Sequence, residues 1–170
     1  MRRLFSVMLA GMITAPALAA GLAFTTPDGW KLAATSSSMR VAQFVLPRAV
    51  GDSQDAELVM YYFGGSGGTI DANIDRWVAQ MQQPSGAAPA RAKRTVNGLA
   101  VTLVDVSGTY VAEMTPGSAQ RYNSPNFRLR AGVVETPNGP YFIKLTGPAK
   151  TVAGHESAFE KFVASLKYQP

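Results

Sequence analysis

The sequence contains no cysteine and a single histidine, His155, in 170 residues. Without cysteine the chain has no disulfides, zinc–thiolate sites or cysteine nucleophiles, so its stability must come from a packed core. A lone histidine has no second one with which to share a metal ion, and the acidic residues Asp52, Asp55 and Glu57 are spaced irregularly. We therefore expect no metal site and no cofactor.

The sequence also lacks a strong excess of charge. Sixteen lysines and arginines oppose eleven acidic residues, giving a net charge of +5. Proteins that bind nucleic acid usually carry a dense basic face, and the nearest approach to one here is Arg91, Lys93 and Arg94. The composition around these three residues indicates a solvated linker, so we expect no nucleic-acid partner.

Only one long hydrophobic run is present, at the N-terminus. Arg2 and Arg3 precede the apolar stretch Leu4–Leu18, and small residues occupy alternate positions at its end. These features predict a signal peptide that is cleaved after Ala19. The run is shorter than the roughly 20 apolar residues that a membrane-spanning helix needs, and Pro16 interrupts it.

Cleavage would leave a single domain, residues 20–170, outside the cytoplasm in the periplasm or the medium. A chain of this size buries about two-thirds of the surface of its unfolded state, which suffices for one core. We expect no stable membrane insertion once residues 1–19 are removed.

Most of the predicted elements are strands joined by short turns. Apolar alternation or continuous apolar runs predict strands at Met39–Leu46, Glu57–Phe63, Leu99–Val106, Phe127–Glu135 and Tyr141–Thr146. Asn97-Gly98 is a strong two-residue hairpin signal, and Pro137–Pro140 has the composition of a tight reversal. Phe24 and Trp30 flank a Pro-Asp-Gly turn and are expected to pin the start of the domain onto the core.

Two amphipathic segments predict helices. The apolar positions are Ile70, Ile74, Trp77, Val78 and Met81 in the first and Phe159, Phe162, Val163 and Leu166 in the second. Thr69 is the predicted N-cap of the first helix, whose apolar side we expect to be core rather than a ligand pocket. Hairpins with only two helices predict an α+β fold, an antiparallel β-sheet flanked by two main helices.

This order of elements resembles the PsbP-like superfamily, which includes photosystem accessory proteins, DcrB-type bacterial envelope proteins and a Ran-binding import factor. The resemblance rests on Thr26-Pro27-Asp28-Gly29-Trp30, the helix around Trp77, the Val96-Asn97-Gly98-Leu99 hairpin and the closing Phe159–Leu166 helix. It implies a PsbP-like sandwich and a small non-enzymatic binding or accessory protein, but no particular partner. The chain also resembles uncharacterised bacterial secreted proteins with a Met39–Phe44 strand and an Asn73–Trp77 helix.

The segment Gly64-Gly65-Ser66-Gly67-Gly68 matches the G-x-S-x-G pattern of a nucleophile elbow, between a predicted strand and a predicted helix. Ser66 with His155 as base and Asp105 as acid would complete a hydrolase triad. Three observations oppose this alternative. The hairpins predict antiparallel strands, whereas a nucleophile elbow belongs on a parallel sheet, and the glycines relax a turn that the elbow needs to be strained. His155 also lies at the predicted start of a surface helix. A glycine loop that permits unusual backbone angles is the simpler interpretation.

The same loop could bind a ligand, because free backbone amides point outward at a helix N-terminus. The candidate binding residues are Gly65, Ser66, Gly67, Gly68 and Thr69. The Lys of a P-loop is missing, and the carboxylate of Asp71 would repel a phosphate.

These observations predict an exported, non-catalytic accessory or binding protein of the cell envelope, with a small serine hydrolase as the alternative. Its partner would be an envelope protein or a small ligand. A larger assembly could dock on the loops Pro84–Ala92 and Met114–Asn126. Arg76 and Lys144 are further candidate binding charges, which the sequence does not distinguish from solvated surface.

Overall fold

The computed structural model describes residues 17–19 and 21–170, so the predicted signal peptide lies almost wholly outside the described residues. Its strands are β1 Ala17–Ala19, β2 Leu22–Phe24, β3 Lys31–Leu32, β4 Arg40–Leu46, β5 Ala56–Tyr62, β6 Met81–Gln82, β7 Ala90–Val96, β8 Leu99–Tyr110, β9 Ser124–Val134, β10 Tyr141–Pro148 and β11 Lys167–Tyr168. The helices are α1 Ile70–Val78, α2 Ala149–Gly154 and α3 Glu156–Ser165.

One large antiparallel sheet organises the domain. Its strands follow the order β3-β4-β5-β10-β9-β8-β6, and β7 pairs with another stretch of β8. A second sheet, in the order β1-β2-β11, joins the two ends of the described chain. Asn97 and Gly98 both adopt positive φ, 47° and 83°, as a two-residue hairpin turn requires. The predicted α+β class and the antiparallel pairing are confirmed.

The helices number three within the described residues, not two, and they cover the sheet from both sides. The extra helix, α2, spans only six residues directly after Pro148 and is too short to show an apolar period. On the other face α1 ends at Val78, so Met81 lies in the short strand β6 rather than in the helix. Met81 is nevertheless buried beside Ile74 and Trp77, which are core as predicted.

Aromatic side chains fill the core between the sheet and α3. The Phe162 ring centroid lies 5.3 Å from that of Phe24, 5.4 Å from that of Trp30 and 6.3 Å from that of Phe44. All four side chains are buried. Phe24 and Trp30 therefore pin the start of the domain onto the core, as their spacing predicted.

The basic residues Arg91, Lys93 and Arg94 are not in a linker, which corrects the sequence interpretation. They lie in β7, an edge strand that pairs with β8 over seven residues. The alternation of alanine with charged residues hid the strand, because both types are uncommon in strands. Charges on an edge strand also oppose pairing with a second chain.

Asp105, proposed above as the acid of a hydrolase triad, instead belongs to an ion-pair network on the α3 face. The Arg128 guanidinium makes two hydrogen bonds to it, of 2.8 and 2.6 Å, and Arg130 Nε lies 3.1 Å away. Arg130 also donates to Glu160 at 2.6 Å and lies over the Phe159 ring, 4.6 Å from its centroid. The network ties α3 to the sheet.

Glu160 at the edge of this network accepts hydrogen bonds from Arg94 and Arg130. Burial acts to raise the pKa of Glu160, but these hydrogen bonds outweigh it and the pKa is lowered. Its contribution to stability is therefore present above its ordinary pKa of 4.5 and is lost as the pH falls below that range.

We expect Asp105→Asn to lower the free energy of unfolding by about 2–4 kcal/mol, because the variant leaves two largely buried guanidinium groups short of a counter-charge. The matched control is Glu113→Gln, which removes the carboxylate of an exposed pair with Arg121, at 3.4 Å. The control should change stability by at most about 0.5 kcal/mol. Urea denaturation measures both, and equal effects would contradict a structural role for the network.

Candidate functional site

The glycine loop after β5 adopts the backbone that its sequence predicts. Gly64, Gly65 and Gly68 have φ values of 62°, 86° and 77°, which favour glycine. Thr69 caps α1 as predicted, because its hydroxyl accepts a hydrogen bond of 3.2 Å from the amide of Ala72.

The loop is packed tightly against the end of β10 and its hairpin. A Cβ on Gly67 would lie 2.3 Å from the Phe142 ring, and one on Gly139 would lie 2.6 Å from the Cα of Gly65. The Asn73 amide donates to the carbonyls of Gly67 and Thr69 at 2.7 and 2.8 Å. Close packing thus accounts for Gly67 and Gly139, and positive φ accounts for Gly64, Gly65 and Gly68. The ligand-binding role of residues 65–69 stays a prediction.

Ser66 and His155 are not brought together. Ser66 follows the C-terminal end of β5, whereas His155 Nε2 lies 2.9 Å from the carbonyl oxygen of Pro47, next to the other end of that strand. The seven residues of β5, at about 3.3 Å each, separate these ends by roughly 20 Å. His155 has no access to the Ser66 proton, so the triad proposed for the hydrolase alternative does not form in this structure.

The acidic residues considered as metal ligands have structural partners. Asp52 accepts hydrogen bonds of 2.9 and 2.5 Å from the amide and hydroxyl of Thr151. Asp55 accepts one of 3.0 Å from the amide of Arg48. The described part of the chain contains no group of three or more His, Cys, Asp or Glu placed to hold a metal ion.

A cleft of about 750 Å³ opens beside α1, on the same face of the sheet. Its floor is formed by β5 and β10, and one wall is the end of α1 with the residues that follow it. The loop between β8 and β9, which includes most of the predicted docking loop Met114–Asn126, also lines the cleft, and its first residue, Val111, donates to the carbonyl of Gln80 at 2.8 Å. The lining includes Arg40, Glu57, Val59, Tyr61, Arg76, Gln80, Tyr110, Ala112, Tyr122, Phe127, Lys144 and Thr146.

Lys144 lies at the floor of this cleft, on the central strand β10. Its Nζ donates to Gln80 Oε1 at 2.5 Å and to the Tyr110 hydroxyl at 3.1 Å, and lies 5.1 Å from the Tyr110 ring centroid. None of the ion pairs among the described residues includes Lys144. The ammonium is thus held by neutral oxygens alone.

Burial lowers the pKa of Lys144 to about 8. The charge of Glu57 acts in the opposite direction, while the positive charges of Arg40 and Arg76 lower the pKa further. Lys144 therefore changes charge near neutral pH, which an exposed lysine does not.

The other charges at the cleft are partly paired. Arg40 donates to Gln43 at 3.0 Å, and Gln43 donates to Glu57 at 2.6 Å, so that the Arg40 and Glu57 charges lie 3.9 Å apart. Arg76 donates to the neutral oxygen of Asn73 and, like Lys144, takes part in no ion pair of the described residues. The cleft consequently carries uncompensated positive charge.

Tyrosine rings supply much of the cleft's apolar surface. Tyr110 stacks on Phe127 with centroids 6.0 Å apart and lies 5.4 Å from Tyr122. Burial raises the pKa of Tyr110 to about 12 and also raises the pKa of Tyr61, so both hydroxyls stay protonated at neutral pH. The cleft combines flat apolar walls with a positive, donor-rich floor.

Sequence reasoning named Lys144 and Arg76 as candidate exposed binding charges but missed the cleft. A lysine within the otherwise apolar run Tyr141–Leu145 was the available signal, since lysine is depleted in strands. A second cleft, of about 950 Å³, borders the predicted docking loop Pro84–Ala92, but the charges of Asp105 and Arg128 that line it are already paired. Neither cleft is lined by residues 65–69.

Comparison with known proteins identifies the fold. Neither models of protein families nor curated proteins match the chain. Protein PA94 of unknown function from Pseudomonas aeruginosa is similar in structure, with a TM-score of 0.51 and 17% identity over 83% of this chain and 98% of PA94. The solution structure of CyanoP, the PsbP of Synechocystis sp. PCC 6803, gives a TM-score of 0.52 and 13% identity over 97% of this chain and 98% of CyanoP.

The chain therefore has a PsbP-like fold, which confirms the resemblance seen in its sequence. Identities this low show the fold alone, so function has to be argued from the cleft. Among the described residues no helix is both long and apolar enough to cross a membrane.

We expect Lys144→Met to raise the free energy of unfolding at pH 7 by about 1–3 kcal/mol, because it removes a buried charge that has no carboxylate partner. The gain should shrink as the pH rises from about 8 to 10.5. In that range the unfolded chain still binds the proton that the folded chain has released, so the wild type becomes more stable relative to the variant.

Urea denaturation at pH 7 and pH 10 measures this difference. Lys150→Met is the control, because Lys150 is exposed and bonds only to the carbonyl of Val50, away from the cleft. It should show no such dependence on pH. A Lys144→Met variant that is less stable than the wild type at pH 7 would mean that the ammonium is well stabilised where it lies.

Proposed function

We propose that this chain is an exported, non-catalytic binding protein that holds a small ligand in the cleft above Lys144. The observation that carries the proposal is the partly buried ammonium of Lys144, which forms no ion pair with a carboxylate of the described residues. The cleft is large enough for a small organic molecule, at about 750 Å³, and is open to solvent.

The energetic cost of Lys144 supports a functional role. An unpaired charge in a partly buried position destabilises the fold, and a methionine or leucine would fit the apolar strand better. Residues that oppose stability in this way are typical of binding and catalytic sites.

The arrangement does not support the hydrolase alternative. Lys144, Tyr110 and Thr146 offer donors, and Glu57 is already engaged by Gln43. General-base catalysis needs a base within hydrogen-bond reach of the group that it deprotonates. Ser66 and His155, the residues of the hydrolase alternative, lie at opposite ends of β5.

Export is the second part of the proposal, and it rests on the sequence of residues 1–19. When the full chain is expressed in a bacterial host, we expect intact-mass measurement of the periplasmic fraction to give a chain that begins at Ala20. Replacing the small residue at the cleavage site, Ala19→Arg, should leave the leader attached. Recovery of the wild-type chain with its leader in the cytoplasm or membrane would contradict export.

Two-dimensional amide NMR of the purified protein tests where ligands bind. A mixture of acidic, basic and neutral fragments should shift the amides of Tyr61, Tyr110 and Lys144. Shifts confined to residues 65–69 would instead support the glycine loop as the site. If no fragment shifts the amides in either place, a role in small-ligand binding would be contradicted.

A further inference from the structure

We propose that the ligand of the Lys144 cleft is an organic monocarboxylate with a flat aromatic or apolar body. This inference rests on the proposed function, since it names the chemistry of the molecule that the cleft would hold. It follows from three properties of the cleft: its unpaired charge, its free hydrogen-bond donors and its walls.

The unpaired positive charge at the floor of the cleft favours an anionic ligand. Arg121 at the rim is paired with Glu113, and Arg40 is paired with Glu57. Lys144 and Arg76 keep their charges unpaired within the described part of the chain. A negative group placed above Lys144 would supply the counter-charge that the fold itself does not.

The hydrogen-bonding groups at the floor are donors. An ammonium has three N–H donors, and Lys144 uses two of them, on Gln80 and Tyr110. Because the Tyr110 oxygen accepts from Lys144, its own proton remains to be donated. The hydroxyl of Thr146, two residues along the same face of β10, is buried without a partner among the described residues. An ionised carboxylate only accepts hydrogen bonds, so it matches this set, whereas an amine does not.

A single negative charge fits better than two. Glu57 lies close enough to influence the pKa of Lys144, and Asp55 and Glu113 also line the cleft. These carboxylates would repel a dianion such as a phosphate monoester more strongly than a monoanion. The remaining walls are apolar or aromatic, with Val59, Tyr61 and Phe127 among them, and they suit a flat ring.

The test compares three probes of nearly the same shape: benzoate, benzamide and benzylamine. We expect benzoate to bind roughly tenfold more tightly than the other two in NMR titrations of the purified protein at pH 7. Lys144→Met should reduce benzoate affinity by roughly tenfold or more, and Thr146→Val should reduce it by a smaller factor. Lys150→Met, outside the cleft, should bind benzoate like the wild type.

The affinity for benzoate should also fall between pH 7 and pH 9, because Lys144 loses its proton there while benzoate stays ionised. The charged groups that face Lys144 are Glu57 on β5, Arg40 on β4 and Arg76 on α1. The titratable hydroxyl of Tyr110 on β8 also contacts it, and burial raises the pKa of Tyr110 to about 12. Inorganic phosphate is a further probe and should bind more weakly than benzoate.

The outcomes separate this inference from the proposed function. If benzamide or benzylamine shifts the amides of Tyr61 and Lys144 as strongly as benzoate does, the cleft binds ligands but the carboxylate inference is wrong. Benzoate binding that Lys144→Met leaves unchanged would overturn it as well. If no probe reaches the cleft, both the inference and the proposed function fail.

Discussion

The length of helix α1 is the constraint on which the rest of this structure depends. Its nine residues span about 14 Å, whereas strands spaced about 4.8 Å apart make the large sheet more than twice as wide. On the opposite face α2, α3 and the small sheet share the covering of the strands. On its own face α1 buries Ile74 and Trp77 against β8, β9 and Phe142 of β10. The uncovered part, over β5 and β10, becomes the floor of the cleft.

The two faces of the large sheet differ in how their charged side chains are paired. Under α3, three arginines meet three carboxylates, so that Arg130 can be largely buried and still be compensated. On the α1 side of the sheet, at the floor of the cleft, Lys144 has only neutral hydrogen-bond partners, and burial lowers its pKa to about 8. The first arrangement stabilises the fold. The second leaves a charge and several donors directed at a space that a ligand can enter, which is why we assign function to that face.

Local signals in the sequence predicted most of the fold. Asn97-Gly98 predicts a hairpin turn because both residues tolerate positive φ. The apolar alternation of Met39–Leu46 and the apolar run of Tyr141–Thr146 each predict a strand. The six-residue helix α2 and the charged edge strand β7 lacked such signals. The cleft could not be predicted, because it depends on where α1 ends above a sheet whose strands are distant in sequence. The Ser66 motif could not by itself decide the hydrolase alternative for the same reason: its pattern is local, whereas the distance to His155 is set by the whole sheet.

The most direct test of this account is the ionisation of Lys144 itself. Selective labelling of the lysine side chains and NMR detection of the Lys144 Cε and Nζ signals would give its pKa in the free protein. We expect a pKa of about 8, which should rise when a carboxylate ligand is added. A value near the ordinary 10.5 of an exposed lysine, unchanged by any carboxylate, would contradict it.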